Sequence, residues 1–127
     1  MTIKSFYDLR SWQEAKDLAV IIYQVTSNFP DTEKYGLISQ LRRASVSVPS
    51  NIAEGMGRSG TKDLIRFIVN ARGSVYEILS QLEISKELQF IEDNDYKLLI
   101  KRYNGLAAGI NTHINRLKLR GTKPLNH

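Results

Sequence analysis

Apolar residues recur along this chain at spacings of three and four, the pattern of helices that bury one stripe. The clearest run is Leu64, Ile68, Ala71, Val75, Ile78 and Leu82. Its alternating steps of four and three make a heptad seam of the kind that builds bundles. It predicts a helix over 61–89 with Thr61 as its N-cap. Gly73 stands in the middle of that helix, where glycine costs about 1 kcal/mol against alanine; close approach of another backbone would explain it. Tyr96, Leu99, Tyr103, Leu106, Ala107, Ile110, Ile114 and Leu117 predict a helix over 94–119, started by Asp93 or Asn94. Gly105 and Gly109 lie one turn apart on it and suit close packing. Upstream, Trp12, Ala15, Leu18, Ala19, Ile22 and Val25 predict a helix over 12–27, with Ser11 and Glu14 at capping-box spacing. Leu37, Ile38, Leu41, Ser45, Val48 and Ile52 predict a helix over 34–56, opened by Asp31 and Thr32.

No strand alternation competes. Four helices on short connections give an all-α fold, an antiparallel up-down-up-down four-helix bundle over 1–119, followed by a basic flexible tail at 120–127. Val20 and Ile21 widen the first apolar stripe beyond what one bundle buries. That surplus, together with the small residues of the second helix, argues for self-association.

The second helix departs from the plain pattern. At about 100° per residue, Leu41, Ser45, Val48 and Ile52 share one face, and Gln40, Arg43, Ser47, Ser50 and Glu54 share the opposite one. A solvated face would carry long charged groups; this one is small and hydrogen-bonding, as if built to meet something. Pro49 removes a backbone N–H and crowds the Ser45 carbonyl, so a bend or break is expected there, with Ser45, Ser47 and Ser50 able to satisfy freed groups. Gly55 and Gly57 are expected to stop the helix in the left-handed conformation.

Composition narrows the function. The 127 residues are 42% hydrophobic, and no apolar run approaches the roughly 20 residues of a membrane span. The N-terminus lacks an apolar export core, and there is no cysteine, so disulfides and thiolate chemistry are excluded. A cytoplasmic location without a membrane partner is expected. The net charge is +5, and no acid follows Asp95, while Lys97, Lys101, Arg102, Arg116, Lys118, Arg120 and Lys123 all do. Such asymmetry points to a polyanionic partner.

Catalytic chemistry is not assembled anywhere. His113 stands alone, His127 is terminal, and no His, Asp or Glu set has metal-ligand spacing. Gly55, Gly57 and Gly60 spell GxGxxG, but after a helix rather than a strand, which empties the match of meaning. No enzyme, cofactor or metal is expected. The positive signal is basic: Arg42, Arg43, Arg58, Lys62 and Arg66 gather at one helix–turn–helix junction, and Arg116, Lys118 and Arg120 at the end of the last helix. Arginine suits bidentate phosphate contacts, and Tyr76, Tyr96 and Tyr103 could stack on bases. Internal pairing is the rival reading, since Glu54 can reach Arg58 or a neighbouring chain.

Several motifs together point to a family. They are Phe6-Tyr7-Asp8-Leu9 with Trp12-Gln13, Phe29-Pro30, Glu33-x-Tyr35-Gly36-Leu37, Gln40-Leu41-Arg42-Arg43-Ala44, Ser47-Val48-Pro49-Ser50-Asn51-Ile52-Ala53-Glu54-Gly55 and Gly73-Ser74-x-x-Glu77. Over about residues 6–119 the sequence resembles the four-helix-bundle proteins encoded in intervening sequences of bacterial 23S ribosomal RNA genes. The resemblance implies a bundle that assembles into a ring, typically a pentamer. A related branch serves diversity-generating retroelements as an accessory to reverse transcriptase and binds nucleic acid on a basic barrel. On these grounds Ser47, Pro49, Ser50, Asn51, Glu54, Gly55 and Gly73 are assigned to the oligomer interface or the family motif. The expected function is an RNA- or DNA-binding homo-oligomer, with a scaffold for a protein partner as the alternative.

Overall fold

The computed structural model describes residue 6 and residues 9–121. Four helices carry the fold: α1 (Arg10–Thr26), α2 (Leu37–Met56), α3 (Thr61–Glu87) and α4 (Asp93–Gly121), with a short 3-10 turn at Asp31–Glu33. No strand occurs among the described residues. None of these helices is long and apolar enough to cross a membrane. α2 packs on α1 and on α3, α3 on α4, and α1 on α4, and among the described residues the backbones make no close approach across either diagonal. One core fills the space between them. Leu18 and Ile22 of α1, Leu41 and Ile52 of α2, Ile68, Ile78 and Leu82 of α3, and Leu99, Ile110 and Ile114 of α4 are all essentially inaccessible.

Pairs across the interfaces fix directions locally. Gln40 meets Gln81, and seven residues further along α2, Ser47 meets Ser74, seven residues back along α3. Phe29, after α1, packs on Phe90, after α3, with ring centroids 5.9 Å apart. The two loops therefore share one end of the molecule.

Helix ends depart from the sequence expectations for identifiable reasons. α1 begins at Arg10, behind an extended Leu9, with no side-chain cap. The Ser11–Glu14 capping box does not form, because the Glu14 carboxylate accepts two bonds from Arg102, at 2.6 and 3.0 Å. α2 begins at Leu37 rather than near 34, because residues 31–33 form the 3-10 turn and the Glu33 carboxylate accepts the Leu37 N–H at 3.0 Å. It then runs unbroken through Pro49 to Met56. Gly57 closes it, as expected, but at φ −84°: no glycine among the described residues is left-handed, so the stop does not use the expected left-handed conformation.

Gly60, not Thr61, occupies the cap before α3. The far end of α3 closes in a Schellman arrangement, with Phe90 N–H on Ser85 O and Gln89 N–H on Lys86 O. Gln89 takes the left-handed position usually given to glycine, at φ 62°. α4 starts at Asp93 and continues through Arg120. Arg120 is therefore helical rather than part of a tail, and residues 122–127 lie outside the described residues.

Candidate nucleic-acid interface

The junction arginines are largely occupied. Arg42 is half-buried and donates to Thr26 Oγ1 at 2.9 Å, to the Tyr23 carbonyl at 3.2 Å and to Ser27 Oγ at 3.3 Å, with its guanidinium over the Tyr23 ring. Those partners lie in the last turn of α1 and its cap, where the helix dipole favours a cation. Arg42 thus locks α2 to α1, and a phosphate at this position would compete with those bonds. Arg58 pairs with Glu54 at 2.8 Å and Arg66 with Asp63 at 2.9 Å. Both guanidiniums also lie over the Phe67 ring, each 4.7 Å from its centroid. Arg43 reaches Glu77 only loosely, at 3.9 Å. Lys62 is exposed and has no ion-pair partner among the described residues. Exposed pairs of this kind are worth at most about 1 kcal/mol, so a phosphate can displace them, but it competes with a carboxylate each time.

The polar face of α2 meets α3. Ser47 Oγ and Ser74 Oγ are 2.9 Å apart, and Asn51 Nδ2 donates to the Ser47 carbonyl and hydroxyl at 2.9 and 3.0 Å. Gln81 Nε2 donates to Glu77 at 3.1 Å and to Gln40 at 3.4 Å, leaving its buried Oε1 without a partner. Much of what looked like an outward face is thus an internal seam. Ser50 remains exposed, and Pro49 half-buried. The glycines separate in the same way. A Cβ on Gly55 would lie 2.9 Å from Phe67 Cβ, so this glycine lets α3 approach. At Gly73, Gly105 and Gly109 a Cβ would meet nothing within 4 Å. The close packing expected of these three is absent among the described residues.

α4 carries the free charge. Lys97 pairs with Asp93 and Arg102 with Glu14, whereas Lys101, Arg116, Lys118 and Arg120 are exposed and have no ion-pair partner among the described residues. His113 is half-buried between them. Burial, and then Arg120 and Arg116, push its pKa below the ordinary value. The unfolded chain therefore holds this proton more tightly than the folded one. His113 costs no stability above its ordinary pKa, and subtracts stability as pH falls below that value.

Tyr103 is fully buried with an unpartnered hydroxyl, so it cannot stack on a base; burial raises its pKa. Tyr96 bonds Glu83 and lies under Lys86. Tyr76 is exposed, but the most accessible aromatic among the described residues is Tyr35, 86% exposed in the α1–α2 connection. Spacing alone does not rank it above the others.

A groove of about 870 Å³ lies between α1 and α4, lined by Arg10 on one side and by Lys101, Gly105, Gly109, His113 and Arg116 on the other. Sequence reading placed neither Arg10 nor the groove, because both depend on where α1 begins against α4. No group of three or more His, Asp or Glu among the described residues is placed to hold a metal ion.

Comparison with known proteins agrees with this architecture. The 23S rRNA-intervening sequence protein family matches over residues 7–112. A crystal structure of a protein of unknown function from the S23 ribosomal protein family of Bacteroides thetaiotaomicron VPI-5482 superposes with a TM-score of 0.74 at 19% identity, covering 82% of this chain and 97% of that one. No curated protein matches.

Proposed function

The chain belongs to the 23S rRNA-intervening sequence protein family, and from that premise we propose that it is a non-enzymatic, oligomeric nucleic-acid-binding protein whose target is RNA associated with ribosomal RNA intervening sequences. The observation that carries this reading is the acid-free length of α4 after Asp95, with Lys101, Arg116, Lys118 and Arg120 exposed and unpaired among the described residues. Free cations bind phosphates without reading sequence. At the α2–α3 junction, by contrast, carboxylates already face Arg43, Arg58 and Arg66.

Assembly belongs to the same proposal: an up-down-up-down bundle, bent at Pro49, that closes into a pentameric ring in the cytoplasm. Val20 and Tyr23 of α1 are 53% and 43% exposed, and Val46 of α2 is 44% exposed. Val46 lies one turn beyond Arg42, which stacks on Tyr23, so these side chains border one seam. A ring covers such a patch and repeats the basic surface, which adds avidity. The same patch supports the alternative, a scaffold for a protein partner such as a reverse transcriptase.

Light scattering is expected to give a mass several times 14.5 kDa, and Pro49→Ala is expected to shift that mass while leaving the helical signal intact. Anisotropy titrations should show a ribosomal RNA fragment and a random-sequence RNA binding with similar affinity. A monomeric mass, or no RNA binding at low salt by an intact oligomer, overturns the corresponding half of the proposal.

A further inference from the structure

The groove between α1 and α4 exists because the two helices differ in length. α1 has 17 residues and α4 has 29, a difference of about 18 Å at 1.5 Å per residue. Glu14, the fifth residue of α1, is tied to Arg102, the tenth of α4, and the start of α1 at Arg10 borders the groove with Gly109, His113 and Arg116. Much of α4 therefore runs on without α1 beside it, and the face left open carries Gly105, Gly109, His113, Arg116 and Arg120. Two further facts give this opening a chemistry. Arg10, Lys101 and Arg116 line it and have no ion-pair partner among the described residues. Its floor is bare at Gly105 and Gly109, where even a Cβ would stand in open space. In a helix of this length two exposed glycines cost roughly 1 kcal/mol each against alanine, and no contact among the described residues repays that cost.

Resting on the nucleic-acid reading above, we propose that this groove is the track for a single phosphodiester backbone, with Arg10, Lys101 and Arg116 as its phosphate contacts and His113 as a contact that gains a proton when the track is filled. From Lys101 to Arg116 the track runs about 22 Å along α4, long enough for several phosphates. The family match ends at residue 112, so His113, Arg116 and Arg120 are not covered by it.

The proton linkage follows from what surrounds His113. On α4 it faces Arg116 and Arg120, and these, after burial, hold it neutral. α1 contributes Arg10 to the same groove, while Glu14 and Asp17 belong to the end near Arg102. Arg102 lies eleven residues from His113, about 16 Å along α4. α3 contributes Arg72, which donates to Asn111 at 2.9 Å. Among the described residues no carboxylate acts on His113 to offset the arginines, so an arriving phosphate removes the repulsion and lets the imidazole protonate.

The test uses the intact protein and a fluorescein-labelled single-stranded RNA. Gly109→Leu adds bulk to the groove, changes no charge and favours the helix. The variant is expected to keep its oligomeric mass and melt no lower than the wild type, yet bind the RNA several-fold more weakly. Wild-type affinity should rise as pH falls from neutrality, by up to about tenfold per pH unit, the limit for one linked proton, and His113→Gln should flatten that rise. Wild-type affinity in Gly109→Leu, or a change of its oligomeric mass, overturns the track, the latter by showing that a second copy fills the groove. An unchanged pH dependence in His113→Gln overturns the role of the histidine. Failure of the unmodified protein to bind RNA at any pH overturns the nucleic-acid reading itself.

Discussion

Changing Arg116, Lys118 and Arg120 together to glutamate is expected to weaken RNA binding by about a hundredfold or more at low salt, since it removes phosphate contacts and replaces them with repulsion. Each exchange moves the charge by two, so the chain goes from +5 to −1 (5 − 6). All three side chains are exposed on α4 and make no ion pair among the described residues. Their reversal therefore disrupts no internal pair. The cost to the fold is the helix-dipole contribution of cations in the last turn, about 0.3–1 kcal/mol each, against a core that these residues do not enter. Circular dichroism should show a folded, slightly less stable bundle. The control is Arg58→Glu with Arg66→Glu, which reverses two charges instead of three. These arginines already face Glu54 and Asp63, so less affinity should be lost. If the two variants lose affinity equally, the free cations of α4 have no special part.

Gly55→Val is expected to destabilise the bundle by about 3 kcal/mol or more, the upper end of the range for overpacked cores. A Cβ at this position would stand 2.9 Å from Phe67 Cβ, 3.2 Å from Leu64 Cδ1 and 3.4 Å from the Leu64 carbonyl oxygen. Phe67 Cβ and the Leu64 backbone cannot rotate away, so α2 and α3 must separate, and the seam from Ser47–Ser74 to Gln40–Gln81 runs along the same contact. Gly73→Ala should do the opposite. Nothing lies within 4 Å of its Cβ, and the gain in helix propensity is about 1 kcal/mol. Urea denaturation of both variants reads the two signs directly. Equal effects would mean that glycine acts at both sites through the unfolded chain alone. Loss of assembly in Gly73→Ala, with the helices intact, would place position 73 at a contact between copies.

The core was legible from periodicity, and the site much less so. Every member of the α3 seam from Ile68 to Leu82 is inaccessible, because a heptad pattern states which side is buried without needing to know the partner. What periodicity does not state is which distant group a polar residue will find. Glu14 and Ser11 have the spacing of a local cap, but a bidentate bond to Arg102, 88 residues away, claims the carboxylate. Arg42 looks like a surface cation beside Arg43, and only the placement of the last turn of α1 against α2 turns it into a lock. Gly55, Gly73, Gly105 and Gly109 look alike in the sequence; one is compressed between helices and three face open space. His113 carries no motif at all. Its interest comes from standing in a groove with Arg116 and Arg120, and the groove comes from the shortness of α1.

The salt dependence of RNA binding by the unmodified protein tests the central claim most directly. Log affinity should fall linearly with log salt. For single-stranded RNA the slope is about −0.7 per phosphate neutralised, so three α4 cations of one chain already require about −2, and a ring that engages more than one chain requires a steeper line. A slope near zero, or no binding at low salt by the intact protein, would contradict phosphate recognition by α4 and leave the exposed patch of Val20, Tyr23 and Val46 to serve a protein partner instead.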